Sequence, residues 1–207
     1  VISQANRVVF TSSAPFGPTL VAAPTDVYVM NLDGSGIEAV THFSSASSVA
    51  SHAVISANGA WVAFALTEAS GTQVWIVRPD GTGLRRLSAG AADATNPSIS
   101  NDGTIVSYVQ AGQVRQVTGL NAPIDVARFT LSNPLGSLIS GDGRRIGVML
   151  GPPSGFAAGI YLADSNATST FAQLMRVFTP RFLFSNGIVS AGGTAPPSVG
   201  SLITAYG

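Results

Sequence analysis

Short apolar runs, interrupted by polar turns that contain glycine, follow one another along the chain. The segments VYVMNLDGSGIEAVT (27–41) and VWIVRPDGTGLRRLS (74–88) share one plan: an apolar run, a polar step, Asp-Gly-Ser/Thr-Gly and a second strand-like run. Asp-Gly supplies the positive φ values that tight hairpin turns require. Helical spacing is poor elsewhere, and only FAQLMRVF (171–178) suits a short helix. The pattern therefore predicts β-hairpins in series.

A second hairpin pattern recurs between these segments. It reads HAVISANGAWVAFAL (52–66), NPSISNDGTIVSYV (96–109) and GSLISGDGRRIGVML (136–150), with a shortened copy at 2–10 and a degraded copy at 181–191. A serine before the turn marks each copy, and successive serines lie 40 to 53 residues apart. These serines are Ser3, Ser56, Ser100, Ser140 and Ser185.

Each repeat reads as four antiparallel strands, which we name A to D in chain order. Tandem units of this kind and length are typical of a β-propeller. The sequence thus predicts an all-β propeller over 1–180, with blades at about 1–50, 51–94, 95–131 and 132–180. We expect a partial fifth repeat and a larger ring, since rings of this type usually have more blades. Gly81 and Gly103 should take positive φ at their turns.

Composition narrows the function classes. Ten basic residues balance ten acidic ones, so nothing directs the chain to nucleic acid. No apolar run reaches the length of a membrane span, and we expect no membrane insertion. The absence of cysteine excludes disulfides and thiolate chemistry. The chain starts at Val1 without a leader-like segment, and we interpret it as a processed or excised piece.

The repeat resembles that of the TolB-type, WD-like β-propellers of bacterial extracytoplasmic proteins. The resemblance is carried by Val27–Gly36 and Val74–Gly83, and by a third group of residues in the hairpin that follows: Ser100, Asp102, Gly103, Ile105 and Tyr108. It covers about residues 2–180 and implies a propeller fold and an extracytoplasmic location.

The tail 187–207 resembles the first strands of an Ig-like module that follows propellers in secreted proteins of soil bacteria. Alternatively, 181–207 opens a fifth blade or closes the ring.

Loop variation separates two faces of the predicted propeller. The A–B and C–D turns are short and uniform, whereas the B–C and D–A connections differ from blade to blade, which is where binding usually occurs on a repeated scaffold. Strand A lines the central channel, and four residues before each anchoring serine stand His52, Asn96, Gly136 and Arg181. This varied ring at the channel mouth is our candidate for ligand contacts. The alternative is that strand entries simply tolerate any solvated residue.

Catalytic and metal-binding patterns are weak. His42 and His52 would need carboxylate partners for a metal site, and Glu68 and Asp93 are the candidates on the same rim. The turn carboxylates belong to different repeats, which argues against an acid/base pair. The chain has no G-x-S-x-G nucleophile elbow. We therefore predict no catalytic residue, no metal and no cofactor.

The leading hypothesis is a non-catalytic, extracytoplasmic propeller that binds a protein or ligand, or forms a structural segment of a larger surface or secreted protein. The expected partner is another protein or a surface glycan, contacted by His52, Asn96, Arg181, Glu68 and Asp93. The alternative is the propeller domain of an enzyme, a serine peptidase or a polysaccharide lyase, whose catalytic part lies elsewhere. Fold resemblance alone does not decide between these functions.

Overall fold

Fifteen β-strands make up the regular structure of the described residues. The structure, a computed structural model, describes residues 1–13, 24–119, 124–130, 133–151, 159–165 and 175–178. No helix occurs in these ranges. The strands form four antiparallel sheets in which each strand pairs with its neighbour in the chain. This arrangement confirms the predicted all-β fold of propeller blades.

Each sheet is one blade. The first contains β1 (Arg7–Ser12), β2 (Asp26–Asn31) and β3 (Glu38–Ala39), and a bridge between Ile2 and Val8 adds the start of a strand A. The second contains β4 (Val49–Ile55), β5 (Val62–Glu68), β6 (Gly71–Val77) and β7 (Arg85–Arg86). The third contains β8 (Ala94–Ile99), β9 (Ile105–Gln110), β10 (Gln113–Thr118) and β11 (Ile124–Thr130). The fourth contains β12 (Pro134–Ile139), β13 (Arg145–Leu150), β14 (Gly159–Asp164) and β15 (Met175–Phe178).

The short segment with helical spacing forms a strand where it is described. Met175–Phe178 pairs antiparallel with β14, so the helical spacing of 171–178 does not correspond to a helix over these four residues. Residues 171–174 lie outside the described part. Pairing with a neighbouring strand satisfies the backbone of an edge segment, and this tertiary effect overrides a weak local helical pattern.

The core lies between neighbouring blades because alternate residues of each strand face opposite sides. Phe64 belongs to an apolar cluster with Val9 of the first blade, whereas its neighbour Ala63 belongs to a cluster with Val106 and Tyr108 of the third. All five side chains are essentially buried. Strands such as WVAF are therefore apolar on both faces, since both faces contact another blade.

The anchoring serine closes the A–B turn. In the second blade the Ser56 hydroxyl donates to Asn58 Oδ1 at 2.6 Å and accepts from the Trp61 amide at 3.1 Å. Ser100 and Ser140 make the same two kinds of hydrogen bond in their own blades. A small hydroxyl that both donates and accepts is what this turn position requires. The serine of these three turns is therefore structural.

Glycine occupies both the A–B and the C–D turns because the backbone is left-handed there. Gly81 has φ +79° and Gly103 has φ +73°, which confirms the predicted positive φ at both positions. Gly59 in the Asn-Gly copy has φ +70°, so asparagine before glycine serves the same turn. Backbone hydrogen bonds also join successive A–B turns. The backbone amide of Asn58 donates to the backbone carbonyl of Asn101 at 3.0 Å, and the backbone amide of Asn101 donates to the backbone carbonyl of Gly141 at 2.9 Å.

Candidate functional site

Hydrogen bonds divide the loops into the two predicted groups. At one end of the blades, which we call the corner face, the A–B and C–D turns meet: the Leu32 amide donates to the Asn6 carbonyl at 2.9 Å. At the other end, the variable face, the B–C and D–A connections meet. There the Thr72 amide donates to Asp93 Oδ1 at 2.7 Å, and Gln73 Nε2 donates to the Ala92 carbonyl at 3.2 Å.

The corner aspartates are engaged in their own turns. Asp33 accepts from the Ser35 hydroxyl at 2.7 Å and from the Ser35 amide at 2.9 Å, and these bonds hold the pKa of its carboxyl below the usual value. Thr82 does the same for Asp80 and also lowers its pKa. Each carboxylate thus stabilises one turn. Nothing in these turns brings two carboxylates together for acid/base chemistry.

The variable face contains a β-bulge in strand A of three successive blades. The strand register shifts between Ser51 and Val54, between Thr95 and Ser98, and between Pro134 and Gly136. His52 and Asn96 lie inside the first two bulges, with φ of +52° and +54°. Asparagine and histidine are enriched among residues that adopt positive φ. The positive φ of the bulge is therefore a structural reason for histidine and asparagine at these two positions.

The five predicted contact residues fall into separate groups. His52 is exposed, with Nδ1 3.1 Å from the Ser51 hydroxyl, and Asn96 is half-buried and donates from Nδ2 to the Leu135 carbonyl at 2.7 Å. Both line one cavity. Arg181 lies outside the described residues.

Glu68 and Asp93 both lie at a different place, the hairpin between β5 and β6. Glu68 ends β5 opposite Gly71, and it is exposed. Gly71 has φ +112°, and a Cβ there would lie 2.7 Å from Asp93 Oδ1. Asp93 therefore caps this hairpin through the Thr72 amide, and neither carboxylate lines the cavity beside His52 and Asn96.

We call this cavity, of about 480 Å³, the mouth cavity. One end of it is formed by strand A of three blades, at residues 52–54, 96–97 and 135–137, and we name it the channel end after the predicted channel. Its outer end lies against the fourth blade at Leu138, 147–149 and Ile160. The walls are mostly apolar. Single-sequence patterns reveal the polar ring but not these walls, because the apolar residues of strand A look like ordinary strand residues.

Neither a metal-binding cluster nor a membrane-spanning helix occurs in the described ranges. In those ranges no group of three His, Asp or Glu side chains is close enough to hold a metal ion. The same part of the chain contains no helix of the length and apolarity needed to cross a membrane.

Comparisons with known proteins show the fold. No protein-family model matches the sequence, and no curated protein matches it. Among solved structures, TolB from Acinetobacter baumannii superimposes with a TM-score of 0.61 at 15% identity, over 84% of this chain and 42% of that one. A chain of the mitotic checkpoint complex gives 0.57 at 16% identity, over 86% and 49%. Oligogalacturonate lyase from Vibrio parahaemolyticus gives 0.53 at 13% identity, over 74% and 42%.

Proposed function

We propose that this chain, a TolB-type β-propeller in fold, is a non-catalytic module that binds a partner at its variable face. In the proposed complex an apolar group of the partner enters the channel end of the mouth cavity, and the loops around it contact the rest. A protein segment with an apolar side chain suits these walls better than a glycan does. We also propose an extracytoplasmic location, supported by the resemblance of the repeat to that of extracytoplasmic proteins.

One observation carries this proposal: the polar groups that recur in every blade are used within the fold, whereas the variable face combines an apolar cavity with non-repeated loops. The whole cavity, with its channel end and its outer end, has a volume of about 480 Å³, within the range of ligand pockets, and the partner is proposed to enter the channel end. His52 at its edge is exposed and supplies a polar group for orientation. An apolar pocket with few polar groups is the usual form of a binding site.

The alternative of an enzyme is supported by likeness in fold to enzymes such as oligogalacturonate lyase. That likeness is at 13% identity and concerns the fold. The chain spans less than half the length of that lyase, of TolB and of the checkpoint chain. Among the described residues, no arrangement of side chains adds support for an enzyme, so binding remains the function that the geometry favours.

A random-peptide phage library, selected against the 207-residue chain, tests the proposal. Gly136→Leu is the informative variant, because Gly136 lies at the channel end and an added Cβ meets only ordinary contacts, at 3.9 Å from Asn96 Nδ2 and 4.0 Å from Asn96 Cβ. The leucine side chain should occupy the cavity. We expect selected peptides to contain an apolar residue and to bind this variant at least about tenfold more weakly.

The matched control is the double variant Asp33→Asn and Asp80→Asn on the corner face. Its peptide affinity should equal that of the parent chain, since neither residue lies near the cavity. If the peptides bind Gly136→Leu as tightly as the parent, the cavity is not the binding site. If the corner variant alone loses binding, the proposed face is wrong.

A further inference from the structure

One apolar sheet face of the fourth blade is exposed. Alternate residues of β12, β13 and β14 point to the same side, and we call this surface the open face. Leu138 is 71% exposed, Met149 and Ile160 are each 47% exposed, and Leu162 is 36% exposed. Large aliphatic side chains together on one side of a sheet mark a surface that another element covers.

The same positions are buried in the two preceding blades. Met149 pairs with Ile160 across β13 and β14. Their counterparts in the repeat are Ala65 and Val74 in the second blade, and Val109 and Val114 in the third. These counterparts are at most 9% exposed. In each case the following blade of the chain supplies the cover, so the open face has the composition of an inter-blade contact.

We propose that the segment 179–207 covers the open face as strands A, B and C of a fifth blade, and that it does not begin a separate module. The segment is as long as Val49–Val77, which forms the same three strands in the second blade. It repeats the A–B pattern in RFLFSNGIVSA (181–191) and contains a further strand-like run, SLITAY (201–206). A Pro- and Gly-rich stretch between them matches a B–C connection.

Contacts between the third and fourth blades give the register of this docking. The Ser137 hydroxyl lies 3.2 Å from the Ser107 hydroxyl. Ser137 stands three residues before its anchoring serine, and the equivalent of Ser107 in the fourth blade is Gly147. With Ser185 as the fifth anchor, Phe182 should therefore lie against Gly147.

Size complementarity supports that register. Gly147 lines the outer end of the mouth cavity, where the missing side chain leaves room for an aromatic ring. A second contact follows in the same way, since the Ile139 amide donates to the Ser98 hydroxyl at 3.1 Å. Phe184 corresponds to Ile139, and Leu138 corresponds to Ser98. Phe184 should therefore lie beside Leu138, the most exposed residue of the open face. The channel end of the cavity, formed by strand A, stays open.

Disulfide trapping tests the proposal cleanly because the chain has no cysteine. Gly147→Cys with Phe182→Cys should form an intramolecular disulfide under mild oxidation, seen as loss of both free thiols and faster migration on a non-reducing gel. Gly147 accepts a Cβ, with neighbours no nearer than 3.7 Å. Leu138→Cys with Phe184→Cys is the second pair and changes a residue that is largely exposed.

Two further pairs serve as controls. Ser107→Cys with Ser137→Cys should cross-link, because the two hydroxyls are already in contact. Ser107→Cys with Phe182→Cys should keep both thiols free, because Ser107 is covered by the fourth blade. If the first control cross-links and neither test pair does, 179–207 does not cover the open face. A cross-linked dimer of either test pair would show that a second copy covers it instead, and would overturn the proposal.

Discussion

At His52 and Asn96 the backbone has positive φ inside a β-bulge, and this conformation accounts for both residue types without a ligand. His52 and Asn96 occupy the same position of successive repeats but are different residue types. This variation distinguishes the position in the sequence. The sequence cannot show the bulge, since a bulge depends on strand pairing. Nor can it show that Asn96 donates to the Leu135 carbonyl, 39 residues away. Ligand contact at His52 therefore stays a prediction.

Alanine substitutions at two turn glycines should differ in cost. Gly103 and Gly34 both have positive φ, of +73° and +85°, so alanine is strained at either position by about 1 kcal/mol. A Cβ at Gly103 would also lie 2.9 Å from Trp61 Cδ1, whereas a Cβ at Gly34 meets nothing within 4 Å. The Trp61 ring is held by the Arg78 guanidinium, whose Cζ lies 4.5 Å from the ring centroid.

We therefore expect Gly103→Ala to lower the free energy of unfolding by about 2 kcal/mol or more, and Gly34→Ala by about 1 kcal/mol. Urea unfolding, followed by tryptophan fluorescence, measures both. Equal losses in the two variants would show that Trp61 does not restrain the corner as the structure indicates.

At the scale of one element, the A–B turn of the third blade should contribute stability that depends on pH. Partial burial raises the pKa of Asp102, but hydrogen bonds from Ser100 and Thr104 outweigh it, and the net pKa is lowered. A folded-state pKa below the unfolded value of about 3.9 gives stability that is fully present above pH 3.9. This stability is lost as the pH falls through the folded-state pKa.

Asp102→Asn isolates this contribution, since Asn58 occupies the same turn position in the second blade and accepts a hydrogen bond from the equivalent serine, Ser56. At pH 7 the variant should be less stable by up to about 1 kcal/mol. The difference from the parent should shrink as the pH falls below about 3.9, because protonation of Asp102 removes the contribution while the other carboxylates titrate in both proteins. Urea midpoints across this range test it, and a difference that is independent of pH would contradict the assignment.

Strands and turns are predictable here to different degrees. VYVM and WVAF show their strand character because they are apolar on both sides, and Asp-Gly shows its turns because left-handed φ favours glycine. The D strands are harder to predict, since β3 and β7 have only two paired residues each. The cap of the hairpin at Gly71 is also hard to predict, because it is Asp93 of the D–A connection. Contacts between blades decide these features, and a single sequence does not contain them.

For the whole molecule, our proposal assigns stability and partner binding to opposite faces of the blades. Serine, asparagine and aspartate on the corner face close turns and join neighbouring blades, so changes there should act on stability. The variable face contains the mouth cavity and loops that differ between blades, so changes there should act on binding.

The first blade also has apolar residues that are only half-buried, such as Phe10 and Tyr28, whose rings stack with centroids 5.6 Å apart. Further blades beyond these four remain a prediction.

The central claim is that partners bind the variable face, and amide chemical shifts of the isotope-labelled chain test it most directly. A peptide selected from the phage library is added in steps, and the shifted amides are mapped onto the blades. We expect shifts at 52–54, at 135–137 and in the loop 87–93. Shifts confined to the corner turns, at 33–36 and 101–104, would contradict it.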